Sequence, residues 1–193
     1  MGIGKGCALM FARQGATVVG SDLNAEAARK TVYEAVLEGL TLHFSETVDL
    51  MNEQQVNALI NAVVEEHGSL HIVLNAAAKA VFKWIEELDY AEWQLTLRAE
   101  LDSVFLVCKA AWPHLKASGA GSIINFASAN AYMALDVSPA LAHCAGKGGV
   151  LALTRQLAME GGPFKLRANT ISPGLIVTGA TAPVIEQPGF LDK

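Results

Sequence analysis

Five short runs of strand-forming residues alternate with helix-patterned segments along the chain, and that alternation limits the fold more than any other feature. The runs are Thr17–Ser21, Leu42–Phe44, His71–Asn75, Ser122–Ala127 and Arg167–Ser172. The helical segments fall near Lys5–Gln14, Ala25–Glu38, Glu53–His67, Tyr90–Ala117 and Ala142–Glu160. Repeated switching between a two-residue and a 3.6-residue period is the mark of βαβ units with parallel strands. The strand runs are continuously apolar rather than alternating, as strands covered by helices on both faces require. A hydrophobic fraction of 52% against 17% charged residues supports such burial. Asn52 reads as a helix N-cap and Gly68 as a helix stop. Pro113 is expected to kink or end the long fourth helix. The expectation is one α/β domain over residues 1–193, with no repeats or linkers.

Composition also narrows the functional classes. The net charge of −5 comes from 14 basic and 19 acidic residues without a basic cluster, which argues against nucleic-acid binding. No apolar run reaches membrane-span length, and no basic segment leads into an apolar core at the amino end. A soluble, cytoplasmic protein is the expectation. Cys7, Cys108 and Cys144 are odd in number and widely spaced, which suits reduced thiols better than disulfides or a metal site. Cys144 neighbours His143, but adjacent helical residues point about 100° apart, so the two do not form a nucleophilic pair.

Three signals follow one another between Gly121 and Gly174. Ser128 closes an apolar strand, where ligands of open α/β sheets bind. His143 and Lys147 are spaced i and i+4, one turn apart on one helix face. Pro173-Gly174 follows the last strand as a turn. At the other end, Gly2, Ile3 and Gly4, with Ala8, open a helix as a glycine-rich turn suited to a pyrophosphate. Asp22 ends the next strand about twenty residues later, where a carboxylate can accept from ribose hydroxyls and repel a 2′-phosphate. Asp22 serves equally well as the N-cap of the helix beginning near Ala25.

Taken in this order, the motifs resemble the short-chain dehydrogenase/reductase family, whose signature is a strand-end serine, a helical Tyr-x-x-x-Lys and a later Pro-Gly loop. His143 stands at the tyrosine position. The resemblance covers Gly2 to about Thr181 and implies a Rossmann-type doubly wound parallel sheet. The chain opens inside the glycine-rich turn and stops at PGFLDK, so the family's first and last strands are expected to be absent, as in a fragment or a gene model begun at an internal methionine. A first strand missing from the middle of the sheet would leave its two neighbours unpaired.

The resemblance implies an NAD-dependent oxidoreductase acting on a secondary alcohol or its ketone, assembled as a homodimer or homotetramer. Ser128, His143, Lys147 and Glu100 match the catalytic positions; the family has tyrosine and asparagine where this chain has His143 and Glu100. Gly2, Ile3, Gly4, Asp22, Asp49, Leu50, Asn75, Ala76, Ala77, Lys147, Pro173, Gly174, Ile176 and Thr178 match cofactor positions. Neutral imidazole both donates and accepts, so histidine can exchange the proton. The lysine charge one turn away opposes a protonated ring. Glu100 offsets charge, binds a water or pairs with Lys147. An Asp after a strand, as Asp49 is, is more often a turn or cap residue. Tyr132 is the replacement candidate for the proton donor but reads as a pocket wall, and Trp84, Trp93 and Trp112 read as core or interface aromatics. Ala78, where the family has glycine, would be strained if the backbone there needs a positive φ. The alternative is a dinucleotide-binding relative without turnover, or an incompetent fragment.

Overall fold

The computed structural model describes residues 2–136, 138–179 and 181–185. The chain divides into two compact units, Met1–Asp49 with Leu175–Lys193, and Leu50–Gly174.

In the first unit, α1 (Ile3–Arg13), β1 (Val18–Gly20), α2 (Ala25–Leu37) and β2 (Leu42–Phe44) follow in order. Both strands run parallel, with Val18 opposite Leu42 and Gly20 opposite Phe44. Leu9, Ala35 and Leu42 form a small core with Ala8, Val18 and Val32 packed on it. The ion pairs Lys5–Glu34 and Arg13–Glu38 link α1 to α2 outside that core. Asn24 caps α2 by accepting the Ala27 N–H at 3.0 Å. Asp22 is therefore not the N-cap itself; its Oδ1 accepts the N–H of the capping Asn24 at 2.8 Å.

The second unit contains α3 (Glu53–His67), β3 (Ile72–Asn75), α4 (Tyr90–Leu97), a π turn (Arg98–Asp102), α5 (Ser103–Ala117), β4 (Ser122–Phe126), α6 (Leu141–Gly161) and β5 (Arg167–Ile171). Its sheet is parallel in the order β3-β4-β5, with Asn75 opposite Asn125 and Asn125 opposite Thr170. Asn52 caps α3 through two backbone N–H groups, and Gly68 ends it at φ 78°. Val56, Leu115, Ile123, Val150 and Leu166 are buried in one core, and each contributes about 1.5–3 kcal/mol through burial. Pro113 does not end its helix, which runs on to Ala117.

The fold class is α/β with parallel strands, and the strand ranges sit within one residue of those read from the sequence. Among the described residues no ladder joins β1 to β3, so the sheet is in two pieces. The final residues PGFLDK lie outside the described residues. No helix among the described residues is long and apolar enough to cross a membrane.

Candidate active site

Parallel pairing in the second unit brings the carboxyl ends of β3, β4 and β5 to one edge. Asn75 ends β3 and is followed by Ala76 and Ala77, Ser128 follows β4, and Pro173 and Gly174 follow β5. The Ala129 N–H donates to the Pro173 carbonyl at 3.0 Å, tying two of these exits together. Ser128 caps the short 3-10 turn Ala129–Ala131, its Oγ accepting the Asn130 N–H at 3.2 Å. That use leaves the serine proton available to another acceptor. Tyr132, at the end of this turn, is exposed. Ala78 has no positive φ, so the expected strain is absent.

Behind that edge, α6 presents His143, Gly146 and Lys147 on one face. Lys147 is 6% exposed, and its Nζ donates to the Phe126 carbonyl at 3.0 Å. Burial lowers its pKa, and the carboxylate of Glu100 opposes that shift. His143 Nδ1 lies 2.8 Å and 3.0 Å from the two carboxylate oxygens of Glu100, and Lys147 Nζ lies 3.9 Å from one of them. Glu100 is 1% exposed. Of the roles open to Glu100, ion pairing with Lys147 is thus secondary to contact with the imidazole.

Two local features admit a carboxylate here. Glu100 sits in the Arg98–Asp102 π turn, whose widened ring is a form common at functional sites. Opposite it, Gly146 lacks the Cβ that would fall 3.0 Å from Glu100 Oε2. The Phe82 ring packs on His143 with centroids 5.4 Å apart. The imidazole side chain is 15% exposed, and Nε2 makes no hydrogen bond among the described residues.

A buried polar chain underlies the strand ends. Asn75 Nδ2 donates to Asn125 Oδ1 at 2.8 Å, and Asn125 Nδ2 donates to Thr154 Oγ1 at 2.9 Å. Asn75 therefore spends its side-chain amide on joining β3 to β4. Burial pushes the neighbouring Cys108 thiol up to about 12. Asn125 and Phe82 were not singled out from the sequence. An asparagine inside the otherwise apolar run SIINF was the available signal, because a buried amide demands partners.

A separate pocket of about 390 Å³ lies among Ile85, Leu88, Asp89, Tyr90, Trp93 and Leu141. None of the groups around His143 lines it. Among the described residues no cluster of His, Cys, Asp or Glu could hold a metal ion.

In the first unit, Gly2 stands at the N-cap of α1 without a side-chain hydrogen bond, and no acidic residue lies in the first turn. The amides of Ile3 and Gly4 belong to that turn, which is suited to an anion. A Cβ on Gly2 would lie 3.0 Å from Thr178 Cγ2, so the glycine allows a close approach. Asp22 is exposed just after β1 and accepts the Asn24 N–H through Oδ1 at 2.8 Å. Beside it, Ser21 Oγ is buried without a hydrogen-bond partner among the described residues. An uncapped glycine turn, an orphaned hydroxyl and an exposed carboxylate fit the diphosphate and ribose of a dinucleotide. The Ile176 carbonyl and the Thr178 hydroxyl both bond Thr181 Oγ1, at 2.6 Å and 3.0 Å. Asp49 is half-buried, and in the second unit Leu50 packs against the core.

The family model described as enoyl-(acyl carrier protein) reductase matches residues 1–193. D-threitol dehydrogenase of Mycolicibacterium smegmatis is 37% identical over 178 residues, which are 92% of this chain and 67% of that protein. The solved structure of 7α-hydroxysteroid dehydrogenase complexed with NADH and 7-oxo glycochenodeoxycholic acid superimposes with a TM-score of 0.90 at 29% identity, covering 97% of this chain and 72% of that one. Gluconate 5-dehydrogenase from Burkholderia cenocepacia, in complex with NADP and tartrate, gives a TM-score of 0.91 at 28% identity, covering 100% and 74%. Sequence and fold agree across the whole length, and the chain belongs to the short-chain dehydrogenase/reductase family of oxidoreductases.

Proposed function

We propose that the protein is an NAD-dependent dehydrogenase of secondary alcohols, working reversibly on the matching ketones, with His143 as the general acid/base. The observation that carries this reading is the Nε2 of His143, without a hydrogen bond among the described residues, one helical turn before Lys147 on a ring held from behind by Glu100. Nicotinamide supplies the acceptor or donor of hydride. His143 takes the proton of the substrate hydroxyl in oxidation and returns it in reduction. Ser128 donates a hydrogen bond to the same oxygen and fixes its position. Lys147, anchored on Phe126, directs its remaining protons toward a ribose hydroxyl.

Cofactor choice rests on Asp22. Relatives in complex with NADH and with NADP are both known, so family membership leaves the choice open. A carboxylate at the end of β1 with no basic residue beside it favours a free 2′-hydroxyl. Gly2, Ile3 and Gly4 would receive the diphosphate, and Asp49 and Leu50 the adenine edge. By the family resemblance, Asn75, Ala76 and Ala77 correspond to cofactor-contacting backbone, and Pro173, Gly174, Ile176 and Thr178 to the loop that meets the carboxamide. Similarity to a threitol dehydrogenase suggests a polyol-like substrate. Family resemblance adds a cytoplasmic homodimer or homotetramer, which sedimentation would check.

The test is alcohol-dependent reduction of NAD, followed by absorbance. His143→Ala should lower kcat by roughly 10²–10⁴-fold, as expected on losing a general acid or base. Equal turnover by parent and variant would refute the assignment of His143. NADH binding without turnover of any alcohol by the parent would instead favour a dinucleotide-binding protein that has lost its chemistry.

A further inference from the structure

We infer that Glu100 is a positioning residue, which holds the proton of His143 on Nδ1 and so makes Nε2 the atom that exchanges a proton with the substrate. The inference rests on the dehydrogenase reading, but its geometry stands independently. An ionised carboxylate only accepts hydrogen bonds, so contacts of 2.8 Å and 3.0 Å from its two oxygens require a proton on Nδ1. A neutral imidazole has one such proton, and its lone pair then lies on Nε2. The other tautomer would set the Nδ1 lone pair against two carboxylate oxygens.

Glu100 has little freedom to release the ring. It is 1% exposed, sits in the π turn, and has Oε2 in the space left by Gly146. Lys147 Nζ stands 3.9 Å from Oε1 while its own hydrogen bond goes to Phe126. The groups around the imidazole are thus Glu100 from the π turn, Lys147 from α6 and the uncharged Phe82 from the segment after β3. Lys83, next to Phe82, is turned to Glu92 at 2.6 Å.

This arrangement gives the carboxylate a part in the chemistry that a water-binding residue would not have. In oxidation the alcohol carbon loses hydride to the nicotinamide nucleotide, and the hydroxyl proton passes to Nε2. The ring then bears a positive charge beside Lys147. Glu100, in contact with both cations, compensates that charge and fixes the ring orientation, as a carboxylate does behind a catalytic histidine.

The tautomer is read directly from nitrogen NMR of the protein labelled with ¹⁵N in its histidines. The expected pattern for the neutral ring of His143 is a protonated Nδ1 and an unprotonated Nε2. Glu100→Gln keeps the shape but offers an amide. It should change those nitrogen signals and lower kcat by roughly 10–100-fold, with KM changed far less. Glu100→Asp should recover part of the loss, and Glu100→Gln should cost nothing further in a His143→Ala background. A parent ring protonated on Nε2 would overturn the inference without any variant. Nitrogen signals unchanged by Glu100→Gln, or an equal loss in the His143→Ala background, would also overturn it. A parent that turns over no alcohol refutes the dehydrogenase reading alone, since the nitrogen signals still decide the tautomer.

Discussion

Gly146→Ala and Gly148→Ala are the same substitution two positions apart in α6, and the structure sets them on opposite outcomes. Each replaces a helix-interior glycine, which alone stabilises by about 1 kcal/mol through reduced chain entropy. At Gly148 the new methyl meets nothing within 4 Å, so that gain should appear nearly whole. At Gly146 it lies 3.0 Å from Glu100 Oε2 and 3.4 Å from Glu100 Cβ. The carboxylate must retreat, yet it is buried and bonded to Nδ1 at 2.8 Å and 3.0 Å. Overpacking of this kind costs about 1–3 kcal/mol, and weakening a hydrogen bond to a charged group costs about 1.5–3 kcal/mol more. The two variants should therefore differ by at least about 2 kcal/mol, or about 4–8 °C in Tm for a chain of this size. Thermal unfolding of both measures the difference, and the nitrogen signals of His143 should move only in Gly146→Ala. Equal stabilisation with unmoved signals would show that the missing Cβ is not what seats Glu100.

Asp22→Ala should narrow the difference between NADH and NADPH affinities by weakening NADH and relieving repulsion of the 2′-phosphate; equal affinities in the parent would refute the role of Asp22. Stability should also fall in alkali because of Cys108. Its thiol holds its proton up to about 12 in the folded protein, against 9.0 for an ordinary thiol, so above pH 9 the folded state binds the extra proton and unfolding is favoured as pH rises, by about 1.4 kcal/mol per pH unit until about 12. Lys147 acts in the opposite sense, because its lowered pKa makes stability rise toward the ordinary lysine range. Comparison with Cys108→Ala isolates the thiol: the variant should lose less stability above pH 9, and identical slopes would refute the assignment.

Much of the secondary structure was legible because the period of the apolar residues switches sharply at each strand, and His143 and Lys147 were bound to share a face by their spacing. The pairing of His143 with Glu100 was not legible. It depends on a π turn and on the missing Cβ of Gly146, and no short motif records a contact across 43 positions. Asp22 was ambiguous because aspartate suits both a helix cap and a ribose contact; the structure gives the cap to Asn24, which accepts the Ala27 N–H, and has Asp22 accept the Asn24 N–H. Asn125 escaped notice because the run around it reads as purely apolar, although its register opposite Asn75 explains how a buried amide is tolerated there. Among the described residues β1 pairs only with β2 and β3 only with β4, which leaves one side of each without a ladder.

The π turn also acts as a phase adjuster between α4 and α5. Thr96 and Leu115, both buried, differ by 19 in number, whereas five regular turns take about 18 residues. One residue in excess would carry the inward stripe about 100° around the helix axis. The wide turn absorbs that excess, and the buried pairs Ala99–Glu100, Ser103–Val104 and Val107–Cys108 recur at a step of four through and beyond it. Deleting one residue within Arg98–Asp102 would thus restore regular hydrogen bonding while rotating one end of the helix out of the core. The helix can have a uniform backbone or two ends that face the same way, and this sequence holds it to the second.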